Sequence, residues 1–240
     1  MIGILGGMGP LATADFYAKV IASTPAARDQ DHVPLLVYAV PQIPDRTAAL
    51  LAGGPSPLPA LLGGLRTLLG AGAEAIAIPC NTAHAWYEEL AAASPVPVLH
   101  IADAAAAAAA RIAGAGARLG LVATAGTLAA GFYPRRLAAR GYESLAPTRA
   151  EMDTLVMPGI EKVKAGDVAG AGPLLEAAVA ALLDRGAAAV ILGCTEVPVA
   201  LDRLGSPLLS RAVDATAALA GRCVQWWLDR RPRAAHPAPA

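Results

Sequence analysis

Two thiols stand in matching contexts. Cys80 ends the apolar run of IAIPCNTAH, and Cys194 ends that of AVILGCTEVP. In each, a strand-like stretch stops at the cysteine, polar residues follow (Asn81 and Thr82; Thr195 and Glu196), and a helical pattern begins. Buried cysteine often serves only as a small apolar side chain. A thiol at a helix start is different, because the free N–H groups and the helix dipole there favour the thiolate. Opposed thiols suit inversion of a carbon centre by proton transfer. One thiolate takes the Cα proton from one face while the other thiol protonates the opposite face, and a model thiol pKa of about 8.5 needs only modest tuning. Two other chemistries fit: a dithiol/disulfide redox pair, and a single cysteine nucleophile with His84 as base, four residues beyond Cys80. His84 is expected rather to cap or pack. Cys223, in GRCVQWW, lacks the strand-to-helix setting and is predicted to lie in the core.

Strand-like runs alternate with helical patterns along the whole chain. Strands are expected at Ile2–Gly6, Leu35–Val40, Ala75–Pro79, Val96–Ile101, Arg118–Ala123, Glu143–Ala146, Ala188–Leu192 and near Leu208. Helices are expected at Leu11–Ser23, Leu58–Leu69, Ala83–Ala92, from Asp103, at Leu128–Arg140, Met152–Lys164, Gly172–Asp184 and Asp214–Leu228. Apolar strands alternating with helices predict an α/β fold, with parallel sheets covered on both faces. The chain also repeats itself. IGILGGMGPLATADFY parallels LGLVATAGTLAAGFY, GAEAIAIPCNT parallels GAAAVILGCTE, and VPVLHIAD parallels SPLLSRAVD. Two pseudosymmetric doubly wound domains follow, each binding ligands beyond the carboxyl ends of its strands. The expected division is 1–97 with 212–230 as the first domain and 98–211 as the second. On this reading Cys80 and Cys194 face each other across a cleft between the domains. The tail 231–240, AAHPAPA at its end, is predicted to be disordered.

Composition excludes several classes. In 240 residues, nineteen basic side chains balance nineteen acidic ones, with no basic stripe interleaved with aromatics, so nucleic acid is not an expected partner. Hydrophobic residues make up 55%, yet no run reaches the length of a membrane span. MIGILGGMGP lacks a basic segment and a cleavage site, which predicts a cytoplasmic protein. Three cysteines without a CxxC pair make neither a disulfide framework nor a zinc site. Of the nineteen basic residues only Lys19, Lys162 and Lys164 are lysine.

GILGGMGP looks like a phosphate loop, and Gly7, Gly9 and Ala12 fit G-x-G-x-x-A. The second strand, however, ends YAVPQ with no acidic residue to hold a ribose. The glycines would equally let backbone N–H groups approach a carboxylate at a helix N-terminus. Arg46, in the Pro-rich PQIPDRT loop, is placed to grip a carboxylate bidentately. Lys164 precedes Ala165-Gly166, where a lysine also satisfies a helix C-terminus.

Taken together, GILGGMGP, PQIPDRT, IPCNTAH, VKAGD and LGCTE resemble the aspartate/glutamate racemase superfamily, most closely its aspartate racemase branch. The resemblance runs from Ile2 to Leu219 with the blocks in family order. It implies a racemase that needs no cofactor and no metal, interconverting L- and D-aspartate, with glutamate the neighbouring substrate, and assembled as a homodimer. By it, Cys80 and Cys194 are the acid/base pair, and Arg46 and Lys164 bind the substrate's carboxylates. Met8, Gly9, Gln42, Asn81, Thr82, Thr124, Thr127 and Thr195 are implied as further substrate contacts. The superfamily also holds broad-specificity amino-acid racemases, hydantoin racemases, maleate isomerases and single-cysteine decarboxylases. Two cysteines argue against the last. A small-molecule binding module is the non-enzyme alternative, and it leaves the repeated thiols unexplained.

Overall fold

The computed structural model describes residues 1–230. The expected disorder of 231–240 lies outside the described residues. Its first half runs β1 (Ile2–Gly6), α1 (Pro10–Ser23), β2 (Leu35–Ala39), α2 (Arg46–Leu51), α3 (Leu58–Gly70), β3 (Ala75–Ala77), α4 (Tyr87–Ala92), β4 (Val98–Leu99) and α5 (Ile101–Ala109). The second half runs β5 (Arg118–Ala123), α6 (Ala125–Ala130), α7 (Phe132–Ala138), β6 (Glu143–Leu145), α8 (Arg149–Glu151), α9 (Met157–Lys164), α10 (Val168–Asp184), β7 (Ala189–Gly193), α11 (Glu196–Leu204), β8 (Ala212–Asp214) and α12 (Ala215–Leu228).

Each half builds a four-stranded, wholly parallel sheet. The orders are β2-β1-β3-β4 and β6-β5-β7-β8, so β1 to β4 correspond one to one with β5 to β8. β1 and β7 are buried along their whole lengths, as sheets covered on both faces require. The two-domain α/β class expected from the sequence is the one observed.

The expected boundaries need correction at the strands. Val98 pairs with Ile76, which puts β4 in the first sheet, and Ala212 pairs with Val190, which puts β8 in the second. The echo between Pro97–Asp103 and Pro207–Asp214 marks equivalent strands of two sheets, not partners within one. The helices do cross over. After β4 the chain leaves the first sheet, and α5 packs on α7, β7 and α12; after β8 it returns, and α12 packs on α1. Buried alanines at 104, 105, 106 and 109 let α5 lie close to its neighbours. The resulting core between the halves holds Ile2 and Phe16 from the first, Tyr133 and Ile191 from the second, and Leu219 and Trp227 from α12.

Three local elements differ from expectation. The helix foreseen over Leu128–Arg140 is broken at Gly131, whose φ of 66° only glycine adopts without strain. The strand foreseen near Leu208 is a 3₁₀ turn over Pro207–Arg211: Pro207 lacks an N–H, and Ser206 Oγ accepts from the Leu208 N–H at 3.3 Å. The helix foreseen over Ala83–Ala92 is a 3₁₀ turn at Thr82–Trp86 followed by α4.

Candidate active site

The carboxyl ends of the strands meet around a cavity of about 240 Å³ between the halves. Cys80 follows β3 and Cys194 follows β7, the equivalent strands, and both line it. Each half also contributes one cation, Arg46 after β2 and Lys164 at the end of α9 after β6. Of the three lysines, Lys19 is paired with Asp15 and Asp214 and Lys162 with Asp167, whereas Lys164 has no carboxylate partner among the described residues.

Arg46 is the first residue of α2, whose N-cap Asp45 accepts from the Ala48 N–H at 2.6 Å. Its Nη1 donates to the carbonyls of Ile43 and Pro44, both at 3.2 Å, while its buried Nε has no partner among the described residues. A buried N–H without an acceptor is costly, about 1–3 kcal/mol, and an arriving carboxylate would relieve it.

Asn81 is similarly arranged. Tyr133 Oη donates to its Oδ1 at 2.6 Å, and its buried Nδ2 has no partner among the described residues. Thr82 Oγ1 lies 3.0 Å from Thr124 Oγ1 and 2.8 Å from Thr127 Oγ1, a hydroxyl triad that joins the halves under the cavity. Close approach here also needs Gly126: a Cβ there would lie 2.8 Å from Thr47 Oγ1 and 3.1 Å from Thr82 Cγ2.

Gly7 is held at φ 93°, and a Cβ there would lie 2.3 Å from the Val40 backbone. Its N–H donates to Thr13 Oγ1 at 2.8 Å, so this donor of the Gly-rich loop is taken up internally. Gly9 is the N-cap of α1 without a side-chain cap, and Met8 and Gly9 line the cavity.

Cys194 corrects the expectation of thiolate character. Burial, followed by the charge of Glu196, pushes its pKa well above the ordinary thiol value, against the opposing pull of the Glu196 N–H and the Lys164 charge. At rest it is a thiol, and its Sγ–H donates to Glu196 Oε2 at 2.9 Å. Thr195 Oγ1 donates to the same oxygen at 2.8 Å. Glu196 opens α11, so the residue type was legible as a helix-start acid but not its contact with the thiol.

Ten of the twelve expected site residues line the cavity: Cys80, Cys194, Arg46, Lys164, Met8, Gly9, Asn81, Thr82, Thr124 and Thr195. Thr127 sits fully buried beneath it, and Gln42 lies exposed in the turn after β2, outside the lining. Gly7 of the glycine-rich loop also lines the cavity, and Pro41, Asp45, Thr47, Gly193 and Glu196, which were not foreseen, complete the wall. His84 turns away from the thiols. It is buried, donates from Nε2 to the Ile78 carbonyl at 3.2 Å, and faces a different cavity, which leaves the expectation of a packing histidine in place of a base. Burial lowers its pKa to about 4, so it is neutral at neutral pH. Cys223 is fully buried in α12, as expected.

The structure is similar to that of the aspartate racemase of Picrophilus torridus, with a TM-score of 0.81 and 31% identity over 94% of this chain and 93% of that one. An aspartate racemase homologue from Pyrococcus horikoshii OT3 superposes with a TM-score of 0.74 at 25% identity, over 94% of this chain and 97% of that one. Among curated proteins, the broad specificity amino-acid racemase RacX of Bacillus subtilis (strain 168) is 38% identical over 111 residues. That match spans 43% of this chain and only 46% of the relative's length. The family model described as Asp/Glu/Hydantoin racemase matches residues 5–223, from within β1 to within α12. The chain belongs to the Asp/Glu/Hydantoin racemase family.

Proposed function

We propose that the protein is an amino-acid racemase that inverts Cα by a two-base mechanism on Cys80 and Cys194, without pyridoxal phosphate or metal, with aspartate as substrate. The observation that carries this is the contribution of one thiol and one cation from each half to a single cavity. Arg46 Nε and Lys164 hold the two carboxylates, and Asn81 Nδ2 offers a third donor. With the amino acid seated, Cys80 as thiolate takes the Cα proton: the C–H bond breaks, an S–H bond forms, and the electron pair remains on Cα and its carboxylate. Cations and donors around the carboxylate stabilise that charge. Cys194, held as a thiol, then gives its proton to the opposite face. Its own thiolate is stabilised by the Glu196 N–H and the Lys164 charge, the two influences that already oppose its raised pKa. Reversal of the roles gives the other enantiomer.

In D₂O, wild-type protein should exchange the Cα–H of L-aspartate with inversion, followed by NMR and a chiral assay. Cys80→Ser and Cys194→Ser should each abolish or cripple racemisation. Absence of exchange for aspartate, glutamate and every neutral amino acid would overturn the reading. A homodimer in the cytoplasm belongs to the same proposal, checked by sedimentation and cell fractionation. Among the described residues no helix is long and apolar enough to cross a membrane.

One observation favours a second reading, broad specificity. An annex of about 150 Å³ adjoins the cavity, sharing Gly9, Lys164, Thr195 and Glu196 with it. Its remaining wall is apolar, made by Pro10, Leu11, Ala12, Val163 and Val199. A neutral side chain fits such a wall better than a carboxylate does, and the partial likeness to RacX points the same way. Comparison of kcat/KM for methionine and aspartate decides between the readings.

A further inference from the structure

A larger cavity, of about 540 Å³, lies between α4, the start of α5 and α7, apart from the thiols. Three arginines of one segment, Arg135, Arg136 and Arg140, line it. Arg136 is committed: it pairs with Asp103 at 2.6 Å and Glu88 at 3.7 Å and lies over the Tyr87 ring at 4.9 Å. Arg135 and Arg140 have no carboxylate partner among the described residues, and Arg135 donates only weakly, at 3.4 Å, to the Ala130 carbonyl. Two free guanidiniums on the wall of one concavity match the oxygens of phosphate or carboxylate. Of the wall's acidic groups Asp103 is paired with Arg136 at 2.6 Å, and among the described residues no cluster of His, Cys, Asp or Glu could hold a metal ion.

The floor of this cavity is also the rear of the catalytic segment. His84 and His100 sit there with rings 4.6 Å apart, both neutral because burial lowers their pKa values, and His84 Nδ1 is buried without a partner among the described residues. His84 ties down the stretch that carries Cys80, through Nε2 to the Ile78 carbonyl and through its N–H to the Asn81 carbonyl at 3.0 Å. A second link runs from Phe132 on the wall to its neighbour Tyr133, which holds Asn81.

We propose that this cavity is a second binding site, for a small phosphate or polycarboxylate anion, whose occupancy is transmitted to Cys80 through the Ile78–His84 segment. The anion bridges Arg135 and Arg140 and shifts α7, whose Phe132 ring lies 6.3 Å from that of His84 and 5.5 Å from that of His100. That movement presses on His84 and Phe132, the two residues that brace the catalytic segment from behind.

The test uses inorganic phosphate, pyrophosphate and citrate by titration calorimetry on wild type, Arg46→Ala and the double variant Arg135→Ala/Arg140→Ala. At least one anion should bind wild type and Arg46→Ala alike, and about tenfold or more weakly to the double variant, as loss of charge-assisted hydrogen bonds implies. In the Arg46→Ala background, the bound anion should change the rate of Cys80 alkylation by iodoacetamide several-fold, a readout that does not require the protein to be a racemase. Circular dichroism and sedimentation of the double variant should match wild type. Failure of all three anions to bind would overturn the proposal, as would loss of binding in Arg46→Ala, which would place the anion in the catalytic cavity. So would unchanged alkylation. If the double substitution altered sedimentation and left anion binding intact, the face would belong to a second copy of the chain and the proposal would fall.

Discussion

Tyr133, on α7 of the second half, donates a 2.6 Å hydrogen bond to Oδ1 of Asn81, beside Cys80 in the first. Burial drives the phenol pKa upward, so it remains a donor at any working pH. With Oδ1 accepting, the amide must present Nδ2 as its free donor, and that atom is the buried one without a partner. Tyr133→Phe should leave the fold intact and let the amide turn. The expected result is a fall in kcat/KM of about fivefold to tenfold, as loss of one net hydrogen bond implies, mostly in KM. An unchanged KM for both enantiomers would assign Tyr133 a purely structural role.

The contact between Cys194 and Glu196 sets a pH dependence. Glu196 adds negative charge beside a thiol already disfavoured as thiolate by burial. In Glu196→Gln that charge is gone, so ionisation of Cys194 becomes easier and its pKa falls. Alkylation of Cys194, followed against pH by peptide mass spectrometry, should therefore begin at lower pH in the variant. A shift towards higher pH would contradict the geometry. The kcat values of the two directions should also diverge, with KM changing in step, since interconversion of enantiomers keeps kcat/KM equal for both.

Arg46 and Lys164 should fail differently. Arg46→Lys keeps the charge but removes the Nε–H and the planar fork, and hydrogen bonds to charged groups are worth about 1.5–3 kcal/mol. A drop in kcat/KM of about 10- to 100-fold is expected from that range. Lys164→Met removes the cation that favours the Cys194 thiolate, so kcat should suffer along with KM. Equal effects on KM alone in both variants would show that neither cation reaches the reacting centre.

Cys223 offers a stability measurement free of the active site. Burial pushes its pKa from 9.0 up to about 12. Between those values the unfolded thiol is ionised while the folded one keeps its proton, so the folded state binds more protons and stability falls as pH rises. The contribution is complete below pH 9 and lost progressively up to pH 12, at about 1.4 kcal/mol per pH unit for one proton. Cys223→Ala should flatten the dependence by that slope in urea titrations across the window. An identical slope in wild type and variant would mean that the thiol is ionised in both states or in neither.

Much of this was legible in the sequence. Alternating apolar runs gave the parallel sheets, and the paired cysteine contexts gave the two thiols, because both signals are local in the chain. Pairing between β7 and β8 was not legible, since internal similarity reports equivalence and says nothing of adjacency. Gln42 was expected at the site and Glu196 was not. Whether a side chain beside a cleft turns inward depends on the turn that carries it: Gln42 lies on the outside of the bend after β2, while the first turn of α11 brings Glu196 back over Cys194. The protonation of Cys194 was equally out of reach, because burial and one carboxylate outweigh the helix-start effect that the sequence signals.

The exchange of α5 and α12 between the halves bears on how the molecule can be taken apart. A break in the connection before β5 would leave an N-terminal piece carrying α5, which finds its packing on α7 and β7, and a C-terminal piece carrying α12, which finds its packing on α1. Each piece keeps helices on its own sheet, α3 on β1 and β2 or α10 on β5 and β7, but the first loses α12 from α1 and the second loses α5 from α7 and β7. Severed halves should therefore be unable to persist singly and should restore each other on mixing, in the manner of two interlocked fingers. The cleft walls are joined through that same interlock, so melting of one wall entails melting of the other.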